Sequence, residues 1–560
     1  MSRFLDTLLA HGRPDSPARS DRGITTGEPA DPVRLTWVQV HERALRAART
    51  LMAGRDGAPG VHHGDAVAVL AGDPALIAAA VQGVWLAGGS VTMLHQPTPR
   101  SDLAAWAGDT VTVLGMIGAK LVLLGLPFDG LAPVLDQHGI GYRMLADLGG
   151  PTVVPLDAPV PVDEDDTVLL QLTSGSTAEP KAVRITHGNL YANMMAMVQA
   201  AGLDPRTDVM VSWLPLFHDM GMVGFLTVPM ALGLELVKVT PADFLASPLL
   251  WPELISRHRG TVTAAPNFAF ALLARRLASA DAGFDLSTLR FALNGAEPIE
   301  PRAVRAFTAA GARFGMPESC VVCAYGMAET TLGVSFAPRG VGIQIDTVDA
   351  DALESRRLAV PAGSGEGEVR AFPRLGPPLP GLDVQVVGED DRPLADREVG
   401  RIRLRGESVT REYLTVSGSQ PTRDTHGWLD TGDEGYLADG DIVVCGRRKD
   451  VIIMGGRNVY PTDIERAAGQ ADGVRPGSVV AVRIEAGARR ESFAVAVESA
   501  RAGDQDAERT LRRDVTARVV DAVGLRPSAV VVLPPSSLPK TPSGKLRRSA
   551  TRAQIAEHLP

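Results

Sequence analysis

Short, unbroken apolar runs alternate along this chain with stretches whose apolar residues recur at helical spacing. Residues 37–57 carry the helical period, and AVAVLA at 66–71 reads as a buried strand. A helix and a strand are predicted over 74–94, a helix over 101–118, and strands at KLVLL (120–124) and Val168–Leu172. Thr186 is placed to cap a helix that carries Leu190, Met194 and Met197 on one face and ends at Gly202. That methionine face is read as core. Helix and strand signals continue through 241–335, and their alternation predicts a layered α/β sheet architecture.

Residues 340–365 turn polar and small, with Gly363–Glu368 read as an exposed turn. From about 375 the signal becomes short strands, LDVQVV and GRIRLRG, which predicts a β-rich subdomain over about 375–448. A composition break near Arg447–Asp450 places the domain boundary at 448/449. Beyond it a compact α+β unit is expected, with a capping box from Thr462 and Glu465 and strands at 478–484 and 492–498. Its helix sets Leu511, Val515, Val519 and Val523 on one face before Gly524. The expected fold class is therefore α/β: a large domain, 1–448, then a small α+β domain, 449–560.

The length, 560 residues, exceeds one ordinary core, which fits two domains. A 45% hydrophobic and 22% charged composition is that of a soluble globular protein. Net charge −9, with no compensating Lys/Arg cluster, argues against a nucleic-acid partner. Three cysteines point to a reducing compartment without a disulfide framework. Cys320 and Cys323 form a CxxC with no βαβ redox context, and are read as part of a strand. Residues 74–94 lack charge, but Pro74 opens the run and Gln82, Gly83, Gly88, Gly89, Ser90 and Thr92 break it. That favours a buried helix and strand over stable membrane insertion. The N-terminus is too short and too charged for a signal peptide, so a cytoplasmic location is expected.

The candidate chemistry centres on LTSGSTAEPKAV, Leu172–Val183. Gly175 lets backbone approach a bulky anion, while Ser174, Ser176, Thr177 and the amides can donate to phosphate oxygens. Lys181 adds a point charge. The string is not a Walker loop, having no second Gly before the Lys. Alone it is equally compatible with a solvated turn between two strands. It resembles the phosphate loop of the adenylate-forming superfamily of acyl-CoA synthetases, nonribosomal adenylation domains and luciferases. Ala178 and Ala182 stand where that family usually has Gly.

Further strings follow in the family's order. Residues 213–224, WLPLFHDMGMVG, and 265–270, APNFAF, resemble the acyl-pocket strings of fatty acyl-AMP ligases, which implies acyl contacts from Trp213, His218, Asp219, Met220, Gly221 and Phe268. By composition they are a helix start capped by Asp219 and a turn with aromatic packing. NGAEPI (294–299) resembles the adenine-binding turn, with Gly295, Ala296 and Glu297. In YGMAETT (325–331), the resemblance implies nucleotide contacts from Tyr325, Gly326 and Thr330 and a magnesium carboxylate in Glu329. The resemblance also implies a nucleotide contact from Thr173, the first residue of the TSGST string. Asp433 in WLDTGDEGY and Arg447 in GRRKD resemble the two ribose contacts, and Lys449 the hinge. Lys545, in PKTPSGKLRR, resembles the lysine that enters the site when the small domain closes; unaided, that segment is a basic tail. His218 and Glu329 complete the catalytic candidates.

The resemblance covers about 35–550 and is nearest to the fatty acyl-AMP ligases, GRNVYPTDIE (456–465) included, with 341–366 as that family's extra segment. It implies a carboxylic acid, ATP and Mg2+ giving acyl-adenylate and pyrophosphate, then transfer to a pantetheine thiol. An acyl carrier protein is the first-ranked acceptor, CoA the second. The alanines at 178 and 182 raise a third reading, weak ATP activation in a protein that binds or processes a supplied acyl-adenylate, because a methyl restricts φ.

Overall fold

The computed structural model describes residues 1–12, 21–54, 58–98, 101–173, 179–281, 283–363, 367–454, 457–484, 492–540 and 545–559. The chain forms two compact units. One comprises Met1–Gln344, Gly376–Asp383 and Arg405–Leu429; the other Ile345–Leu375, Val384–Leu404 and Asp430–Pro560.

The first unit is built on two eight-stranded sheets among its described residues. One runs, in spatial order, Gly333–Phe336, Val321–Gly326, Phe291–Gly295, Val262–Pro266, Val209–Ser212, Glu235–Lys238, Gly23–Thr26 and Val33–Thr36. Its six central strands are parallel. The other runs Gly418–Pro421, Glu412–Thr415, Lys181–Thr186, Thr167–Thr173, Ser90–Met93, Ala66–Leu70, Ala119–Leu124 and Tyr142–Met144. Ala66–Leu70 and Ser90–Met93 are buried throughout, as parallel strands covered on both faces must be; AVAVL is accordingly an unbroken apolar run, while SVTM buries the small polar Ser90 and Thr92. Pro74–Leu86 is a helix buried along its length and apolar but for Gln82, which meets His41 at 3.1 Å, and it is capped by Asp73. The N-terminal stretch is itself a helix, Arg3–Gly12, burying Phe4, Leu5 and Leu8.

Thr186 caps the helix His187–Ala201 in a reciprocal capping box with Asn189, and Gly202 ends it at φ 53°. Leu190, Met194 and Met197 are buried, so the methionine face is core. In contrast, Thr462 and Glu465 form no capping box. Pro461 already occupies the first helical position of Pro461–Ala468, Tyr460 precedes it without a side-chain cap, and Glu465 is committed to Arg548. Thr186→Ala is accordingly expected to cost about 1 kcal/mol of stability, whereas Thr462→Ala stays within about 0.5 kcal/mol of wild type, measured by denaturant unfolding.

In the second unit a three-stranded sheet, Val479–Ile484, Ser492–Glu498 and Ala529–Leu533, packs against the helix Gln505–Val523. That helix buries Leu511, Val515, Val519 and Val523. The short strands expected after 375 appear as Leu382–Val387, Gly400–Gly406, Leu429–Ala438 and Asp441–Arg447, most of whose residues lie in this unit. The stretch read as polar and small contains more order than its composition announces. Ile345–Asp349 pairs with Val369–Pro373, and Asp349 caps the helix Ala350–Arg356. The helix is held through Glu354, a buried carboxylate that pairs with Arg370 at 2.6 Å and with Arg457.

Candidate active site

In the first sheet the chain passes from Val209–Ser212 to Glu235–Lys238 on one side, then returns to place Val262–Pro266 on the other. Strand order therefore reverses between Val209–Ser212 and Val262–Pro266. A crevice outside the carboxyl ends of parallel strands at such a reversal is where open α/β sheets bind ligands. Trp213 leaves the carboxyl end of the first of these strands and Phe268 follows the second, their rings 6.3 Å apart. Gly295 and Tyr325–Gly326 end the next two strands, so the apolar and small-residue strings converge on one sheet edge.

The aromatic wall is dense. Trp213 stacks on Phe244 at 4.0 Å and meets Trp251 edge-on at 5.9 Å. After it, Asp219 accepts from the Met220 amide at 2.7 Å and lies 2.6 Å from His218 Nδ1, opening the π-helical segment Met220–Thr227. Gly221 is required by packing, because a Cβ there would stand 2.0 Å from the Pro215 carbonyl oxygen. His95 packs edge-on to Phe217 at 5.5 Å; burial, with His218 nearby, holds its imidazole down to about 4, so it is neutral at pH 7. The Phe268 amide donates to Glu297 Oε1 at 2.6 Å, tying two of the loops, and Ala296 adopts φ 69°. Thr330 is buried and donates to the Met327 carbonyl at 2.9 Å.

Thr173 and Lys181 face each other as the last pair of an antiparallel hairpin. Ser174, Gly175, Ser176, Thr177 and Ala178 lie outside the described residues. Ala182 is buried in the strand, paired with Leu172 and Leu414, and its φ is not positive, so its methyl imposes no backbone strain. Lys181 Nζ sits 5.5 Å from the centre of the Tyr413 ring, and the Tyr413 hydroxyl donates to Glu329 Oε1 at 2.6 Å.

In the second unit Asp433 and Arg447 are cross-strand partners, joined by a 2.9 Å ion pair. Asp433 is buried, with its amide donating to Thr431 Oγ1 at 3.0 Å, while Arg447 is half exposed. Lys449 is exposed in the turn Arg448–Asp450. Lys545 is half-buried beside a bridge between Lys540 and Leu546.

Over residues 9–414 the sequence matches the AMP-binding enzyme family. The chain belongs to that family. This AMP-binding enzyme is 54% identical to a Mycobacterium tuberculosis protein named as a ligase, Rv1013, across 98% of this chain and 99% of that one. It is 35% identical to the medium-chain-fatty-acid–[acyl-carrier-protein] ligase JamA of Moorena producens, across 71% of this chain and 69% of that one. A solved fatty acyl-adenylate ligase structure, from work on the E. coli and L. pneumophila enzymes, superposes with a TM-score of 0.86 at 32% identity, covering 100% and 99% of the two chains. The AMP-binding enzyme is therefore an adenylate-forming, ATP-dependent ligase. Among its described residues, no helix is long and apolar enough to cross a membrane.

Two of this AMP-binding enzyme's residues escaped the motif reading. Tyr413 lies in no phosphate or metal string and is found only through strand pairing. Lys238 is fully buried on the strand beside Ser212, donating to the carbonyls of Leu214 and, at 3.1 Å, Val239. A lysine inside an apolar run was the signal available. Burial holds its ammonium down to about 7, against the pull of Asp243. The unfolded lysine stays protonated up to its ordinary pKa, so between about 7 and 10 the unfolded chain binds the extra proton and Lys238 makes stability rise with pH. Wild type should gain about 2 kcal/mol more than Lys238→Met between pH 7 and 9 in urea unfolding. Equal gains would refute the shifted ionisation. The thiols of Cys320 and Cys323 are likewise pushed up to about 12 by burial, so neither is a thiolate near neutrality.

Proposed function

We propose that the enzyme activates a hydrophobic, fatty-type carboxylic acid and passes the acyl group to the pantetheine thiol of an acyl carrier protein. A carboxylate oxygen attacks the α-phosphorus of ATP, and the bond to pyrophosphate breaks. The thiolate then attacks the carbonyl carbon and AMP leaves. The observation that carries this reading is the convergence of the Trp213 and Phe268 strings with Gly295 and Tyr325 on one sheet edge at a strand-order reversal.

In this reading Trp213, His218, Asp219, Met220, Gly221 and Phe268 serve the acyl chain. Gly295, Ala296, Glu297, Tyr325, Gly326 and Thr330 serve the adenine side of the nucleotide. Thr173 and Lys181, with the loop between them, take phosphates, and Asp433 with Arg447 takes the ribose hydroxyls, a carboxylate being the natural acceptor for a diol. Glu329 suits a magnesium ion carried on ATP phosphates. One of its oxygens is held by Tyr413, and Mg2+ asks for only one or two protein carboxylates beside water and phosphate. Lys449 acts as hinge for residues 449–560, which bring Lys545.

The aromatic wall favours an apolar acid, and the name of the JamA relative supports a carrier-protein acceptor. The test is incubation with ATP, a panel of acids, and either holo-carrier protein or CoA, with adenylate and thioester measured separately by mass spectrometry. Rapid CoA-thioester formation would refute the carrier preference; no acid-dependent adenylate would refute the whole reading.

A further inference from the structure

We propose that Tyr413 is a positioning residue that sets the Glu329 carboxylate and the Lys181 ammonium against one magnesium-bound nucleotide, an inference that rests on the roles given to those two residues above. The strand Glu412–Thr415 runs antiparallel to Lys181–Thr186, with Thr415 opposite Lys181 and Tyr413 opposite Val183. Paired residues share a face and alternate positions return to it, so Tyr413 is the diagonal neighbour of Lys181 on one face of the sheet. This register brings Lys181 Nζ to 5.5 Å from the ring centre, within reach of its negative face.

The other end of the same side chain points at the carboxylate. The phenol donates to Glu329 Oε1 at 2.6 Å, a short bond of the charge-assisted kind, and fixes that oxygen while Oε2 keeps its lone pairs for a cation. The backbone repeats the connection. The Thr410 amide donates to the Glu329 carbonyl at 2.8 Å, and Thr331 Oγ1 to the Ser408 carbonyl at 3.2 Å. Thr331 itself stands at φ 75° and ψ −51°, a conformation costly for a β-branched residue and kept only where its surroundings enforce it. The segment 408–413 thus clamps the loop carrying Glu329 while presenting an aromatic face to Lys181. A tyrosine serves both ends because ring and hydroxyl are separable functions of one rigid side chain.

That separability defines the test. Equilibrium binding of ATP to the full chain is measured by calorimetry across a magnesium titration and without magnesium, for wild type, Tyr413→Phe, Tyr413→Leu and Glu329→Gln. Tyr413→Phe keeps the ring and deletes the donor. It should raise the magnesium concentration for half-maximal ATP binding about tenfold, the weight of one hydrogen bond to a charged acceptor, and leave magnesium-free ATP binding unchanged. Tyr413→Leu should add about a threefold loss of magnesium-free ATP binding as Lys181 loses its seat. If Glu329→Gln shifts the magnesium dependence while Tyr413→Phe does not, Tyr413 only packs and the inference is overturned. If Glu329→Gln leaves it unshifted, the metal role of Glu329 falls, and the inference with it.

Discussion

Lys545→Ala should lower acid-dependent ATP–pyrophosphate exchange by about 10²–10³-fold, the cost of removing one preorganised charge from a developing anionic transition state. A carboxylate approaching an α-phosphate is one anion attacking another, and the chain's answer has to be positioning and cations. Thiol attack on the finished adenylate passes through a tetrahedral carbon and forms no pentavalent phosphorus, the phosphate taking up charge only as AMP leaves. Transfer from chemically supplied acyl-adenylate to a thiol should therefore survive the substitution within about tenfold. Arg should not restore exchange, because a planar guanidinium places its charge differently from a compact ammonium. The half-buried position of Lys545, outside the core clusters of its unit, keeps folding out of the comparison. Exchange within tenfold of wild type would remove Lys545 from the first step.

The elements that sequence alone revealed are those whose cause is local. Short unbroken apolar runs marked parallel strands such as Ala66–Leu70, and Thr186 with Gly202 marked both ends of a helix, because caps and apolar runs are set within a few residues. The strand leading into the turn before Lys181 was legible for the same reason. Order within the sheet was not: nothing local says that Val262–Pro266 returns to the far side of Val209–Ser212, yet that reversal gathers the strings of Trp213, Phe268, Gly295 and Tyr325. Tyr413 was invisible because its partners stand 84 positions away at Glu329 and, across a strand, at Lys181. Ala296 and Thr331 hold positive φ without being Gly, so the rule that finds left-handed turns by glycine passes over both. The capping box at Thr462 failed by one local competitor, Pro461, and one distant one, Arg548.

That distant partner gives the largest expected effect on stability. Arg548 holds Glu465 with Nη2 at 2.9 Å from Oε1 and 2.7 Å from Oε2, and reaches Asp450 at 3.4 Å. Glu465 also accepts the Ala481 amide at 2.9 Å, so one carboxylate ties helix Pro461–Ala468, strand Val479–Ile484 and helix Arg548–Gln554. Arg548→Met leaves that carboxylate without its cation and near a second carboxylate, Asp450, and should cost about 3 kcal/mol, the lower range for breaking a buried pair because the arginine is 28% exposed. Removing both partners together, as Arg548→Met with Glu465→Leu, should recover most of the loss, since the carboxylate held by two bonds goes with its cation and only Asp450, 20% exposed, loses the arginine. Tryptophan fluorescence would miss the change, as the chain's six tryptophans all precede residue 430 and lie in the other unit. Hydrogen exchange reads it directly: amides of Val479–Ile484 should exchange about a hundredfold faster in the single variant and near the wild-type rate in the double one. An acceleration below threefold would mean the pair carries no net stability. Because helix Arg548–Gln554 begins just after Lys545, the single variant should also depress pyrophosphate exchange more than the double one does, linking the anchoring of the tail to the placement of its ammonium.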